Sequence, residues 1–587
     1  MPTLHSTNML FSLSPSAHQR ACAWKQKERQ SLIDSLPPVY STPLSFEEEK
    51  VHALSLSQLV SRCRAGTLSP SEVMMAYGKK ALAAQKATNC LSDIMFQEAS
   101  STPALSSWGP GVDSADVNSS SSTVNEVPRD RLLLGVPVSI KDTVDIEGRD
   151  STIGYSRYVG RPATTSAPLV RLLQDAGALI HAKTTVPTGL FHIETVSDVY
   201  GRTLNPHNTA ITVGGSSGGG AALVACGGSK IEIGSDIGGS VRIPAHFCGV
   251  WSLKGSAGRF PTWGSRSSLA GLEGIQLITA PLASNLDDLE EFWKRVIHCE
   301  PWQYDHTCIP LPWRPIDLQQ EGRKLKWGVM WDDGTVPPTP ACRRALATVA
   351  NALRKQGHEV VDFTPPDLVS GLQTGYRLLF ADGAQQVEAP LQPGERVTGP
   401  AQAILNLFNL PRIVKKIFAY FLKSSDPFAA EVYKSMHPLT VLEDRAAIVS
   451  RDEYRAQWHK KWIDEGLDFL ITVPHPLPAF PHGGGVKVSL MSVGVTFLFN
   501  LLDYSAGVLP VTHVDKDIDG LAPNFTSTPE YQSMNSVVKG VYSVYDAEKM
   551  HGLPLGVQVV GRRLEEEKVL QGMRVVEVAL KEAGVYF

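Results

Sequence analysis

Gly214-Gly215-Ser216-Ser217-Gly218-Gly219-Gly220 is followed by Asp236-Ile237-Gly238-Gly239-Ser240-Val241-Arg242-Ile243-Pro244, whose Ser240 stands 24 residues after Ser216. From Gly214 to Gly239, 10 of 26 residues are glycine. A backbone that dense in glycine turns sharply and brings its N–H groups close to a ligand, as phosphate cradles and oxyanion holes both require. The phosphate reading fails in detail: no Gly-Lys-Ser/Thr follows the glycines, and no Gly-x-Gly-x-x-Gly with a downstream acid is present. The segment carries serine instead.

A serine hydroxyl is a poor nucleophile until a base takes its proton. Gly214-x-Ser216-x-Gly218 and Gly215-x-Ser217-x-Gly219 both fit a nucleophile elbow, which calls for a downstream histidine such as His475, His482, His513 or His551. The elbow leaves the second motif around Ser240 unexplained. The other candidate base is Lys141, which closes the apolar run Gly135-Val136-Pro137-Val138-Ser139-Ile140-Lys141-Asp142. Desolvated there, its pKa would fall from about 10.4, leaving a neutral amine able to accept a proton.

Outward from these motifs the chain alternates. Leu132 to Ile140 reads as a strand buried on both faces, Ala167 to Asp175 as a helix stopped at Gly177, and Ala178 to Ala182 as another strand. That order predicts a parallel or mixed sheet covered by helices. Ser69-Pro70-Ser71-Glu72 is a capping box opening a helix. An apolar strand near Pro554 to Val560 and a helix from about Leu564 to Ala583 close the chain. Residues 99–127, with four consecutive serines at 119–122, read as a flexible surface insertion, and residues 1–49 as an N-terminal arm.

The 587 residues carry 55 Lys+Arg and 59 Asp+Glu, a net charge of 55 − 59 = −4, which argues against a nucleic-acid partner. With 43% hydrophobic and 19% charged residues the chain is globular. Length alone would suggest roughly four domains. Its eight cysteines include no Cys-x-x-Cys pair, so reduced thiols in a reducing compartment are expected. No basic start leads into an apolar run, so a secretory signal is not expected; the lack of acids before Glu28 leaves a transit peptide open. The longest apolar stretch, 488–502, is interrupted by polar residues and falls short of a membrane span.

Taken together, the Lys141 run, the paired serines and the Ser240 motif resemble the amidase signature family. Gly201-Arg202-Thr203-Leu204-Asn205-Pro206 and Gly556-Val557-Gln558-Val559-Val560-Gly561 extend the likeness over most of the chain from about residue 50. Within the family it is most similar to eukaryotic, fungal-type acetamidases and fatty-acid amide hydrolases. The resemblance implies an α/β fold: a single large domain, residues 50–587, with a central mixed, twisted β-sheet covered by helices on both sides. It implies hydrolysis of a carboxylic amide, without metal or cofactor, through a Ser–Ser–Lys triad and an acyl-enzyme. Ser240 would be the nucleophile, Ser216, after a cis peptide bond, the proton relay, and Lys141 the base. The N–H groups of Ile237, Gly238, Gly239 and Ser240 would hold the oxyanion. Ser217 would support the site, while Asp236 and Arg242 would fix the loop by charge-assisted bonds. Leu190 and Phe191 fall at acyl-pocket positions, which core packing would explain equally well. His246 is expected to be structural, and Asp142 to point away from Lys141.

Residues 401–425 resemble the membrane-binding cap of fatty-acid amide hydrolase. On a helical wheel Arg412, Lys415, Lys416 and Lys423 share one stripe beside an apolar face of Ile413, Val414, Ile417, Phe418, Tyr420, Phe421 and Leu422. The segment 404–423 is therefore read as a peripheral membrane contact on a cytoplasmic enzyme, with core packing or a homodimer contact as the alternatives. The substrate is expected to be a small-molecule or lipid amide. The other readings are a small-amide acetamidase, an amidotransferase subunit and a catalytically dead membrane-binding scaffold.

Overall fold

The computed structural model describes residues 15–101, 131–318, 322–397 and 399–587. Its centre is an eleven-stranded mixed sheet. In chain order the strands are β1 (Leu91–Ile94), β2 (Pro137–Lys141), β3 (Leu179–Thr184), β6 (Ile231–Asp236), β7 (Trp251–Lys254), β8 (Ile278–Ala283), β9 (Lys326–Val329), β10 (Glu359–Asp362), β11 (Phe469–Thr472), β12 (Ala506–His513) and β13 (Pro554–Val560). A separate two-stranded ribbon supplies β4 (Val196–Ser197) and β5 (Gly201–Arg202). The spatial order is β1-β3-β2-β6-β8-β7-β12-β13-β11-β9-β10. One sheet thus draws strands from residue 91 through residue 560, and the division into roughly four bodies that length suggested does not occur.

Successive strand residues point to opposite faces, yet β2, β3, β6, β8 and β13 are buried at every position. Both faces of the sheet are therefore covered. The helix Pro70–Thr88, opened by the Ser69/Glu72 capping box, packs in one core with the helix Gly218–Ala225 and with Leu179, Ala182 and Leu282. The helix Leu286–His298 buries Leu289, Phe292, Trp293 and Val296 in the other.

The strand expected over Leu132 to Ile140 begins only at Pro137. Leu133 to Val136 form a turn closed by a Val136 N–H to Leu133 carbonyl bond of 3.0 Å, because this apolar stretch buries its leucines without sheet pairing. In the arm, the helix Ala17–Asp34 lies against the body through Lys25 Nζ on Asp150 (3.0 Å), His18 on Asp198 (3.0 Å) and Arg29 on the Leu91 carbonyl (2.8 Å). Of the expected Ser-rich insertion, Ala99 to Ser101 end the helix Phe96–Ser101, and the rest lies outside the described residues. The eight cysteines are all unpaired with one another. Among the described residues no helix is long and apolar enough to cross a membrane.

Candidate active site

β2 runs parallel to β3 and β6, and its last residue is Lys141, while Asp236 ends β6. The loops that follow parallel strands at their carboxyl ends are where α/β sheets bind ligands. Both serine motifs converge there.

Lys141 is fully buried. Its Nζ lies 2.9 Å from Ser216 Oγ, 3.0 Å from Ser235 Oγ and 3.3 Å from the Ser235 carbonyl. Desolvation pulls its pKa down to about 7, against the opposing pull of Asp236 and Glu232. Three acceptors suit an ammonium with three N–H groups. They equally suit a neutral amine that donates twice to Ser235 and accepts from the Ser216 hydroxyl. The amine can therefore change charge without moving. Ser235 was not foreseen from the sequence; a polar residue inside an otherwise buried strand was the available signal. Asp142 points away, as expected: its Oδ2 accepts from the Thr152 N–H (2.9 Å), the Thr152 hydroxyl (2.7 Å) and the Ile153 N–H (2.9 Å).

The Gly215–Ser216 peptide bond is cis, and Ser217 precedes the helix Gly218–Ala225. The Ser217 N–H donates to the Ser240 carbonyl at 3.0 Å, which ties the two motifs together backbone to backbone. Its hydroxyl donates within the site to the Ser235 carbonyl at 3.4 Å. Ser240 is half-buried and shares a small cavity with Ser216 and Ser235.

Asp236 and Arg242 are both fully buried and build the loop between them. Asp236 Oδ1 accepts from the Gly239 N–H (2.8 Å), Arg242 Nη2 (2.9 Å) and Asn500 Nδ2 (3.0 Å); Oδ2 accepts from the Val241 N–H (3.0 Å) and Arg242 Nε (3.2 Å). Burial alone would raise this carboxyl's pKa, but the Arg242 guanidinium and the N–H donors hold it well below the usual carboxylate range. Gly239 has φ +119°, and a Cβ there would lie 2.3 Å from Thr496 Oγ1. Of the four N–H groups expected to converge on an oxyanion, that of Gly239 is already given to Asp236. Those of Ile237, Gly238 and Ser240 meet no acceptor among the described residues.

Ser240, Ile237 and Gly238 open onto a mostly apolar cavity of about 50 Å³ lined by Leu190, Phe191, Ile193, Tyr376, Phe380 and Phe497 among others. Leu190 and Phe191 thus stand beside Ser240, and the Phe191 ring packs on Phe380 with centroids 5.4 Å apart. Phe380 in turn packs on Phe408 at 5.9 Å. Phe408 belongs to the helix Pro400–Asn409, which Leu410 and Pro411 join to the helix Arg412–Leu422.

That second helix is amphipathic, with one correction to the expected pattern. Lys415 does not join a surface stripe: it is buried, with its Nζ donating to the Met436 carbonyl at 3.0 Å. Its long stem lets the ammonium reach inward and pin the helix. Arg412, Lys416 and Lys423 remain at the surface beside Ile413, Ile417, Phe418, Tyr420 and Phe421, which are 48% to 77% exposed.

None of the histidines considered as a base reaches the paired serines or Ser240. His475 meets Ser492, His482 the Thr209 carbonyl, His551 the Val514 carbonyl, and His513 stacks on Phe587. His246 is structural, accepting the Gly556 N–H at 2.8 Å. Among the described residues no cluster of side chains suits a metal ion.

Comparison with known proteins identifies the family. Residues 72–570 match the Amidase family. The chain is 32% identical over 556 residues to an acetamidase of Aspergillus oryzae, covering 93% of each chain. It is 31% identical over 542 residues to fatty-acid amide hydrolase 1 of Sus scrofa, covering 91% of this chain and 86% of the other. A solved fatty acid amide hydrolase superposes with a TM-score of 0.79 at 25% identity, covering 95% and 94% of the two chains. The chain belongs to the amidase signature family, and it is an amide hydrolase.

Proposed function

We propose that this enzyme cleaves carboxylic amides through Ser240, Ser216 and Lys141, and that its substrates carry an apolar acyl chain. The observation that carries the mechanism is the fully buried Lys141 amine 2.9 Å from Ser216 Oγ. Neutral Lys141 takes the Ser216 proton as Ser216 takes that of Ser240, and Ser240 Oγ adds to the amide carbonyl. The developing oxyanion meets the free N–H groups of Ile237, Gly238 and Ser240, each donor worth about 2.7–4 kcal/mol of transition-state stabilisation. Gly239 supports the hole indirectly by anchoring on Asp236. Collapse breaks the C–N bond, and the proton returns through Ser216 to the departing nitrogen, since an amide anion is too basic to leave. Water then cleaves the Ser240 ester by the same route.

The apolar cavity beside Ser240 supports the acyl-chain reading. So does the run of rings Phe191, Phe380 and Phe408, which joins that cavity to the exposed apolar helix Arg412–Leu422. We read this helix as a peripheral membrane contact, with a homodimer contact as the competing use of the same face. Residues 50–587 are read as the catalytic body, residues 1–49 as an arm lying on it, and the cytoplasm as its setting. The 32% identity to an acetamidase favours a second reading, a preference for short amides. A panel from acetamide through arylacetamides to long-chain N-acyl ethanolamides, compared by kcat/KM, separates the two. The lipophilic reading expects kcat/KM to rise with acyl length; a maximum at acetamide would overturn it.

A further inference from the structure

Glu232 is fully buried and has no place in the scheme above. It sits in β6 directly opposite Ser139 of β2, while Thr184 of β3 stands opposite Lys141. Residues level with one another on neighbouring strands share a face of the sheet, and so do residues two apart on one strand. Ser139, Lys141, Thr184 and Glu232 therefore form one layer, with Lys141 about 7 Å along β2 from Ser139.

The helix Gly218–Ala225 roofs this layer. Its Gly220 lies so close that a Cβ would fall 2.2 Å from Glu232 Cγ, so the acid is sealed from water by bare backbone. Among the described residues the carboxylate touches no cation. Its Oε1 accepts from the Thr184 hydroxyl at 2.6 Å and its Oε2 from the Ser139 hydroxyl. The charged and titratable groups around it are few. The roofing helix offers none. On β6 itself Asp236 is paired with Arg242 and also pulls on Lys141. Lys183 of β3 alternates to the opposite face, where it donates to the Asp150 carbonyl at 2.6 Å. Cys90, before β1, has a thiol pushed up to about 12 by burial. Lys141 is the remaining cation.

We propose that Glu232 is a second buried counter-charge of Lys141 beside Asp236, a positioning residue that shifts the pH at which the amine gives up its proton. The proposal rests on the reading of Lys141 as the base. When Lys141 takes the proton from the serines it becomes an ammonium in a sealed layer, and Glu232, with both hydroxyls donating to it, balances that charge. Burial pushes Glu232 up to about 7, and its charge opposes the desolvation that pulls Lys141 down to about 7.

Glu232→Gln keeps the side chain's size under Gly220 and removes its charge. Without the anion the ammonium is less favoured, so the acid limb of the kcat/KM profile moves to lower pH by about one unit. Thr184→Val, which deprives the carboxylate of one donor, moves it the same way by less. An acid limb that coincides with that of the parent enzyme in folded Glu232→Gln overturns the proposal; if that variant does not fold, an unmoved limb in Thr184→Val does so. Lys141→Ala separates the two levels. Activity retained in that variant removes the base on which the proposal stands, whereas an inactive Lys141→Ala with an unmoved Glu232→Gln limb refutes the Glu232 role alone.

Discussion

Replacing Asp236 by Asn removes one charge from the best-defended part of the loop. Oδ1 accepts from three donors and Oδ2 from two. An asparagine amide can present its oxygen to only one set. With the oxygen facing the three donors, its NH₂ confronts the Val241 N–H and Arg242 Nε and leaves both without an acceptor. Each stranded buried donor costs about 1–3 kcal/mol, more where a charge is involved. Breaking a buried ion pair as a whole costs about 3–5 kcal/mol. Arg242, fully buried, keeps only the neutral oxygens of Gln558 and Asn500 as its other acceptors. Asp236→Asn should therefore destabilise the fold by about 3–5 kcal/mol in urea titration. The remaining folded protein should also react more slowly with a fluorophosphonate at Ser240, because the Gly239 and Val241 anchors shape the loop proposed to hold the oxyanion. Stability within about 1 kcal/mol of the parent with an undiminished labelling rate would refute the view that this pair holds the loop.

Three further outcomes are expected. If Lys141 is the proposed base, only its neutral amine accepts the proton; with its pKa pulled down to about 7 by desolvation, kcat/KM should be level above that pH and fall about tenfold per unit below it. Lys141→Ala should lose about 10²–10⁴ in kcat at pH 8, as stopped-time product assays would read. At the cap, Ile417→Glu with Phe421→Glu should lower co-sedimentation with anionic phosphatidylserine vesicles about tenfold or more. The same change should leave hydrolysis of a water-soluble arylacetamide unaltered; undiminished vesicle binding would remove the membrane role of this helix.

The glycine-serine motifs were legible in the sequence, but their spacing left a histidine and Lys141 both open as the base, and only the family resemblance pointed to Lys141. Lys141, Ser216 and Ser240 lie far apart in the chain yet meet at the carboxyl ends of β2 and β6. What the sequence concealed depends on direction rather than on residue type. A helical wheel groups Lys415 with Arg412 and Lys416, but it does not tell which stripe packs inward, and Lys415 is buried. Four N–H groups in a row look equivalent as sequence, and only the fold gives Gly239 to Asp236. Glu232 lies between Ile231 and Ile233 and passes for the wet side of a half-buried strand. Its burial follows from Gly220 packing directly over it, a contact between segments that no periodicity reports.

In the proposed mechanism Ser240 carries the acyl group. Rapid acid quench of the enzyme with a long-chain amide, followed by proteolysis and mass analysis, reads this directly. The acyl mass is predicted on the peptide containing Ser240, in an ester cleaved by hydroxylamine and undetectable in Lys141→Ala. Acyl mass on Ser216 or Ser217, or its full accumulation without Lys141, would contradict the account.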